Sequence, residues 1–160
     1  MGTGWKVMIY ISHRGNLTGK HHDLENSPVY IYQAIDKGFD VEVDLRHKDG
    51  QIFLGHEKPQ YLIDDGFIEE CRESLWVHCK DKESLKYALD ENLNCFFHKA
   101  DDYTLTSKGY VWAFPGVAKA NSNTIAVLPE LFRTVEEMKD LDYHGYCSDV
   151  IEYIRSSHNV

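Results

Sequence analysis

Apolar and polar positions alternate most cleanly over residues 39–46, FDVEVDLR. Phe39, Val41, Val43 and Leu45 fall on one face of an extended chain, and Asp40, Glu42, Asp44 and Arg46 on the other. A strand is predicted there, and its period of two places Glu42 and Asp44 on the same side, about 7 Å apart along it. Residues 6–12, KVMIYIS, form an apolar run of β type that passes into His13-Arg14-Gly15 and a polar loop. Asn26 or Ser27 can cap the following helix, which carries Pro28 near its first turn and stops at Gly38. The Asp49-Gly50 turn signal sends the chain back through QIFLGHE, so residues 47–57 read as a hairpin-like excursion that delivers His56. A short helix over 64–73 and a strand LWVHCK at 75–80 come next. Asp81 caps a helix whose Leu85, Ala88 and Leu89 recur on one face, and CFFHK at 95–99 is the next strand.

The pattern thins in the second half. Residues 101–109 read as a polar loop, 110–116 as a strand ended by Pro115-Gly116, and 117–123 as too short for a good crossover helix. A strand is predicted at 124–130, a short helix capped by Thr134, a last strand at 145–150, and then a short helical or frayed tail. Strands alternating with helices favour parallel pairing with crossover connections. Seven such strands point to an α/β fold of (β/α) barrel type. A complete barrel takes about 250 residues, so the 160 residues here imply one compact or truncated barrel domain spanning 1–160. An open doubly wound sheet suits the length, but no Gly-rich nucleotide loop follows the first strand.

Composition narrows the partners. Seventeen Lys and Arg against 26 Asp and Glu give a formal charge of −9, which argues against a broad nucleic-acid surface. A small phosphate-bearing ligand needs only a local basic patch and stays compatible. Cys71, Cys79, Cys95 and Cys147 are widely spaced without a C-x-x-C pair, as expected of buried thiols in a reducing compartment. The N-terminus lacks a secretory apolar stretch, and Lys6 replaces the Ser or Thr of a myristoylation motif. No apolar run approaches the roughly 20 residues of a spanning helix, and no basic amphipathic helix suggests stable membrane insertion. A cytoplasmic, soluble protein is expected.

The chemistry concentrates in three clusters that end or follow predicted strands: His13-Arg14-Gly15, Glu42-Val43-Asp44 and His56-Glu57. Two imidazoles, a guanidinium and paired carboxylates are what metal-assisted attack on a phosphate ester requires. With ENS at 25–27, AI-x-x-G-x-D at 34–40, DLRHKDG at 44–50 and the closing GYCSDV, these residues resemble the signature of glycerophosphodiester phosphodiesterases, within the phospholipase C-like phosphodiesterase barrel superfamily.

The resemblance implies a shortened, divergent member acting as a metal-dependent phosphoric diester hydrolase in lipid metabolism. His13 and His56 would be its catalytic acid/base pair, Arg14 its phosphate-binding guanidinium, and Glu42 and Asp44 ligands of a divalent ion, magnesium or calcium by resemblance. In the family the nucleophile can be the substrate's own adjacent hydroxyl. Lys80 matches a substrate-side lysine. His78 stands where a third metal-binding glutamate is expected, and imidazole suits manganese or zinc better than a hard cation. Glu57 replaces the usual aspartate. His98, Glu130 and Asp149, near predicted strand C-termini, and Trp112 are further candidates for the pocket wall. The expected partner is a small phosphodiester. The competing expectation is a catalytically degenerate barrel that binds a phosphorylated small molecule or lipid head group.

Overall fold

The computed structural model of the chain describes residues 7–114 and 121–159. Strand β1 (Ile9–His13) and strand β2 (Asp40–Lys48) lie parallel, connected through helix α1 (Pro28–Asp36). Ser27 rather than Asn26 caps α1, its hydroxyl accepting the Tyr30 N–H. β2 outlasts β1. Its residues Leu45–Lys48 pair antiparallel with β3 (Gln51–Leu54), and β3 pairs with β4 (Tyr61–Ile63). Asp49 and Gly50 both take positive φ, as a two-residue hairpin turn of the primed type requires. The excursion expected from Asp49-Gly50 is therefore present. β4 is an addition to it, too short for a period of two to show.

Helix α2 (Asp65–Cys71), capped by Asp64, leads into β5 (Leu75–Cys79), which pairs parallel with β2. Asp81 and Ser84 cap each other at the start of α3 (Lys82–Asp90), and β6 (Cys95–Phe96) pairs parallel with β5. The remaining elements are β7 (Tyr103–Leu105), β8 (Val111–Ala113), β9 (Thr124–Val127), α4 (Val135–Met138), β10 (Gly145–Ser148) and α5 (Ile151–His158). Across the sheet the parallel strands follow the order β6-β5-β2-β1-β10-β9-β8. They correspond one for one to the strands read from the alternation.

Two expectations change in detail, and the tail takes the helical form of its two alternatives. Residues 101–109 are not all loop, because β7 pairs antiparallel with β8. Its hairpin turn closes where the Gly109 N–H donates to the Thr106 carbonyl and the Thr106 N–H donates to the Tyr110 carbonyl. Both Tyr103 and Leu105 are exposed, so no buried apolar face marks this strand in the sequence. β9 ends at Val127 because Leu128 turns left-handed and Pro129 opens a 3-10 turn, which takes Glu130 off the strand. The tail is an ordered helix, α5, that buries Ile151 and Ile154 completely. Pro115-Gly116 and most of 117–123 lie outside the described residues.

The sheet curls into a truncated (β/α) barrel. Alternate residues turn inward, where Ile11, Trp76, Phe96, Trp112, Ile125, Val127 and Cys147 make one apolar cluster. The opposite faces pack outward: Val41, Val43, Leu45 and Val77 against Ile31, Ile68 and Ala88 of α1, α2 and α3, and Tyr146 against Met138 and Ile154. Among the described residues β6 and β8 share no ladder, so the barrel is not laddered shut. Side chains fill that seam, with the Phe96 and Trp112 rings 4.7 Å apart. Ser107 also ties it, its backbone N–H donating to the Cys95 carbonyl and its hydroxyl accepting the Cys95 N–H.

Candidate active site

Strand register decides which polar groups meet. β1 places His13 beside Glu42, β2 places Asp44 beside His78, and β10 brings Ser148 level with Ser12, so that Asp149 follows next to His13. Paired residues of parallel strands point to the same face, here the barrel interior at its C-terminal end, where barrel sites form. The polar face expected for Glu42 and Asp44 is thus turned inward, with Glu42 2% and Asp44 0% exposed.

A cavity of about 590 Å³ opens above them. His13, Arg14, Glu42, His56, Glu57, His78, Lys80, His98, Trp112 and Asp149 all line it, with Lys20, Arg46, Phe97, Lys99 and Phe114 among the residues that complete its wall. Asp44 lies just beneath, its Oδ1 4.0 Å from Lys80 Nζ. Glu130 does not reach the wall. Its Oε1 accepts the Asp149 N–H at 2.9 Å, so it supports the last strand's carboxylate from behind. A larger groove of about 680 Å³, walled by Tyr32, Leu62, Phe67 and Tyr87 among others, lies outside the barrel and holds none of the candidate residues.

The loop after β1 is bent to present its side chains. Arg14 sits at φ +58° and Asn26 at φ +66°, left-handed conformations that cost free energy outside glycine. Hydrogen bonds hold both: the Arg14 N–H donates to the Glu42 carbonyl and the Asn26 N–H to the Arg14 carbonyl. Gly15 follows at φ +96°, and a Cβ there would come within 2.6 Å of the Tyr30 ring. Gly15→Ala is expected to cost about 2 kcal/mol from backbone strain and displacement of Tyr30. That is a fall of roughly 5 °C in Tm, measurable by differential scanning calorimetry.

Electrostatics separate the two carboxylates. Burial and then the charge of Asp44 raise Glu42 to about 7. Burial also raises Asp44, but the His78 ring, Arg14 and an Asn26 hydrogen bond outweigh it and hold the carboxyl well below its ordinary value. Arg14 Nε lies 2.9 Å from Asp44 Oδ2, and Asn26 clamps the same residue twice, Nδ2 donating to Oδ2 and Oδ1 accepting the Asp44 N–H. Burial disfavours a charged His13, yet the Asp149 hydrogen bond and Glu42 together raise it. His56, its side chain 39% exposed, is lowered by burial and by Arg14. Its loop is held by Arg46, whose guanidinium donates to the Gly55 and His56 carbonyls.

Two groups of side chains have a metal ligand's spacing: Glu42, Asp44 and His78, and His13, Glu25 and Asp149. The second is already satisfied. His13 Nδ1 lies 2.7 Å from Asp149 Oδ1, and Asn16 Nδ2 donates to both Glu25 Oε2 and Asp149 Oδ1. In the first, Glu42 Oε2 and Asp44 Oδ1 are buried without a hydrogen-bond partner. Two orphaned carboxylate oxygens beside an imidazole fit a divalent cation, so this donor set suits the implied group.

Asn16 and the clamp by Asn26 escaped the sequence reading. Asn16 is fully buried and joins Glu25, Asp149, the Tyr30 hydroxyl and the His21 N–H. In sequence it is one more polar residue of a loop. The ENS run at 25–27 was the available signal for Asn26 and Glu25.

No family profile matches this sequence, and neither does any curated protein. A solved structure does match. The chain has the fold of a glycerophosphodiester phosphodiesterase. That enzyme, from Agrobacterium tumefaciens str. C58, aligns with a TM-score of 0.57 and 14% identity over 94% of this chain and 100% of its own. The truncated barrel is therefore a version of that fold, and at this identity the likeness extends to architecture rather than to activity. No helix among the described residues is long and apolar enough to cross a membrane.

Proposed function

We propose that the chain is a metal-dependent phosphoric diester hydrolase acting on small glycerophosphodiesters. One observation carries this reading. In a chain of formal charge −9, the cavity gathers Arg14, Lys20, Arg46, Lys80 and Lys99 around four histidines, His13 and His56 among them, and a pair of buried, unpartnered carboxylate oxygens. Such a patch attracts a phosphate, and the donor set beneath it suits a cation. The fold shared with an enzyme named for glycerophosphodiesters supports the choice of substrate.

Glu42, Asp44 and His78 would hold a divalent ion, which when bound supplies positive charge to a phosphoryl oxygen and acidity to a hydroxyl. Arg14, anchored on Asp44 through Nε, offers the rest of its guanidinium to non-bridging oxygens. Asp149 accepts from His13 Nδ1, which fixes the tautomer and leaves Nε2, 3.7 Å from Glu42 Oε2, as the working nitrogen. Glu57 does the same for His56, at 2.6 Å from its Nδ1. One ring takes the proton of the attacking hydroxyl or water, and the other returns a proton to the departing alkoxide. Lys80 offsets charge developing on the phosphoryl group. The acidic balance makes nucleic acid a poor substrate, and we place the activity in cytoplasmic lipid breakdown.

Purified protein incubated with glycerophosphodiesters and a chromogenic diester, with magnesium, calcium, manganese or zinc in turn, is expected to release alcohol with at least one ion. Chelation should stop turnover. Absence of turnover with every ion would overturn the hydrolase and leave a barrel that only binds phosphorylated ligands, the reading that His78 in place of a glutamate favours.

A further inference from the structure

The Glu42, Asp44 and His78 site departs from an all-oxygen cradle at one atom, and the surroundings of that atom are specific. The His78 ring lies flat against Phe96 and His98, with centroids 4.9 and 5.0 Å away and planes inclined by 21° and 16°. Its Nε2 is 3.3 Å from the His98 carbonyl oxygen. A carbonyl can only accept, so Nε2 carries the proton and, in the neutral ring, Nδ1 carries the lone pair. That lone pair faces Asp44 Oδ1 at 3.4 Å, an oxygen without a hydrogen-bond partner. Such a pair needs a bridge, either a proton on Nδ1 or a metal ion that displaces that proton. Ring packing and the Nε2–H contact are the outer support that orients a metal-ligating histidine.

We propose that this site selects a first-row transition ion such as Mn2+ or Zn2+ over Mg2+ and Ca2+, with His78 Nδ1 as the selecting ligand. The proposal rests on reading the triad as a metal site, and it is independent of whether the protein cleaves diesters. Hard cations want oxygen donors, and only two carboxylates are on offer. Their charge is already shared: Arg14 Nε is 2.9 Å from Asp44 and Lys80 Nζ 4.0 Å. An ion held mainly by electrostatics loses more to these neighbours than one that forms a strong bond to imidazole nitrogen.

Transition ions bind most sites more tightly than magnesium, so the decisive quantity is a change in ratio. Affinities for Mn2+, Zn2+, Mg2+ and Ca2+, each alone, are measured by titration calorimetry on the wild type and on His78→Glu. The Mn2+/Mg2+ affinity ratio is expected to fall by about tenfold or more in His78→Glu. An unchanged ratio would overturn the proposal. A second measurement needs no variant: in protein labelled with 15N-histidine, Zn2+ should move the His78 Nδ1 resonance while Nε2 keeps its proton. A shift confined to His13 would place the ion at the Glu25 and Asp149 cluster and equally overturn it. Tight Mn2+ or Zn2+ binding at His78 without diester cleavage would refute the hydrolase and leave this inference standing. Cleavage with a magnesium preference untouched by His78→Glu would do the reverse.

Discussion

His13→Ala is expected to lower kcat for a glycerophosphodiester by about 10²–10⁴, the usual contribution of a positioned acid or base. KM should stay within about threefold, because the loss concerns proton transfer rather than ground-state binding. The surroundings explain why the effect should be chemical and not a loss of fold. Asp149 keeps the Asn16 side-chain amide after the ring is removed, and its backbone N–H remains on Glu130. Arg14 keeps its backbone bond to the Glu42 carbonyl, so the left-handed loop is still tied down. Steady-state kinetics with a circular-dichroism melt separates the two effects. A variant that melts within a few degrees of wild type and retains full turnover would remove His13 from the chemistry.

The parts of the site that were legible lie where a local period dictates direction. Over 39–46 a period of two sends Glu42 and Asp44 to one face, and the inward turn of that face follows from Val41, Val43 and Leu45 packing against helices on the other. His78 on β5 and Lys80 just past its end share that parity, two positions apart, and both reach the cavity. Glu130 shows the limit. It was expected near a strand end, but Leu128 leaves the strand by a left-handed turn and Pro129 starts a 3-10 turn. The carboxylate therefore serves Asp149 and not the wall. Asn16 shows a second limit. Its partners come from residues 21, 25, 30 and 149, and no spacing in the chain announces a hub that only register creates. β7 was hidden for the opposite reason, since an exposed edge strand has no buried face to leave a pattern.

The seam between β6 and β8 bears on how short such a barrel can be. β6 is two residues long, and no ladder joins it to β8 among the described residues. Trp76, Phe96 and Trp112 occupy that gap as a continuous set of rings, 4.7 and 5.8 Å between centroids. Aromatic volume thus stands in for the missing ladder, and it floors the cavity directly beneath His78 and His98, whose rings continue the stack. The shortened half of the fold and the proposed cation site meet at the same wall.

Glu42→Gln should separate the cation site from the rest of the fold, with opposite effects on stability and on metal response. Burial first, and then the charge of Asp44, push Glu42 up from an ordinary 4.5 to about 7 in the folded chain. The folded state therefore holds this proton more tightly than the unfolded chain does. Stability from the protonated carboxyl is fully present below about pH 4.5 and is lost as pH rises through about 7. Above that, an ionised Glu42 with an unpartnered Oε2 costs on the order of 1–3 kcal/mol. Glutamine keeps the shape and removes the charge. In chelator at pH 8 the variant should melt a few degrees above wild type, and at pH 5 the two should nearly coincide. On the proposed reading a divalent ion would replace the proton in wild type, so adding one at pH 8 should raise the wild-type Tm, by more than at pH 5. The variant should show neither that rise nor diester turnover. Equal metal-induced stabilisation in Glu42→Gln and wild type would move the cation away from β2 and leave the two buried carboxylates without the partner their geometry calls for.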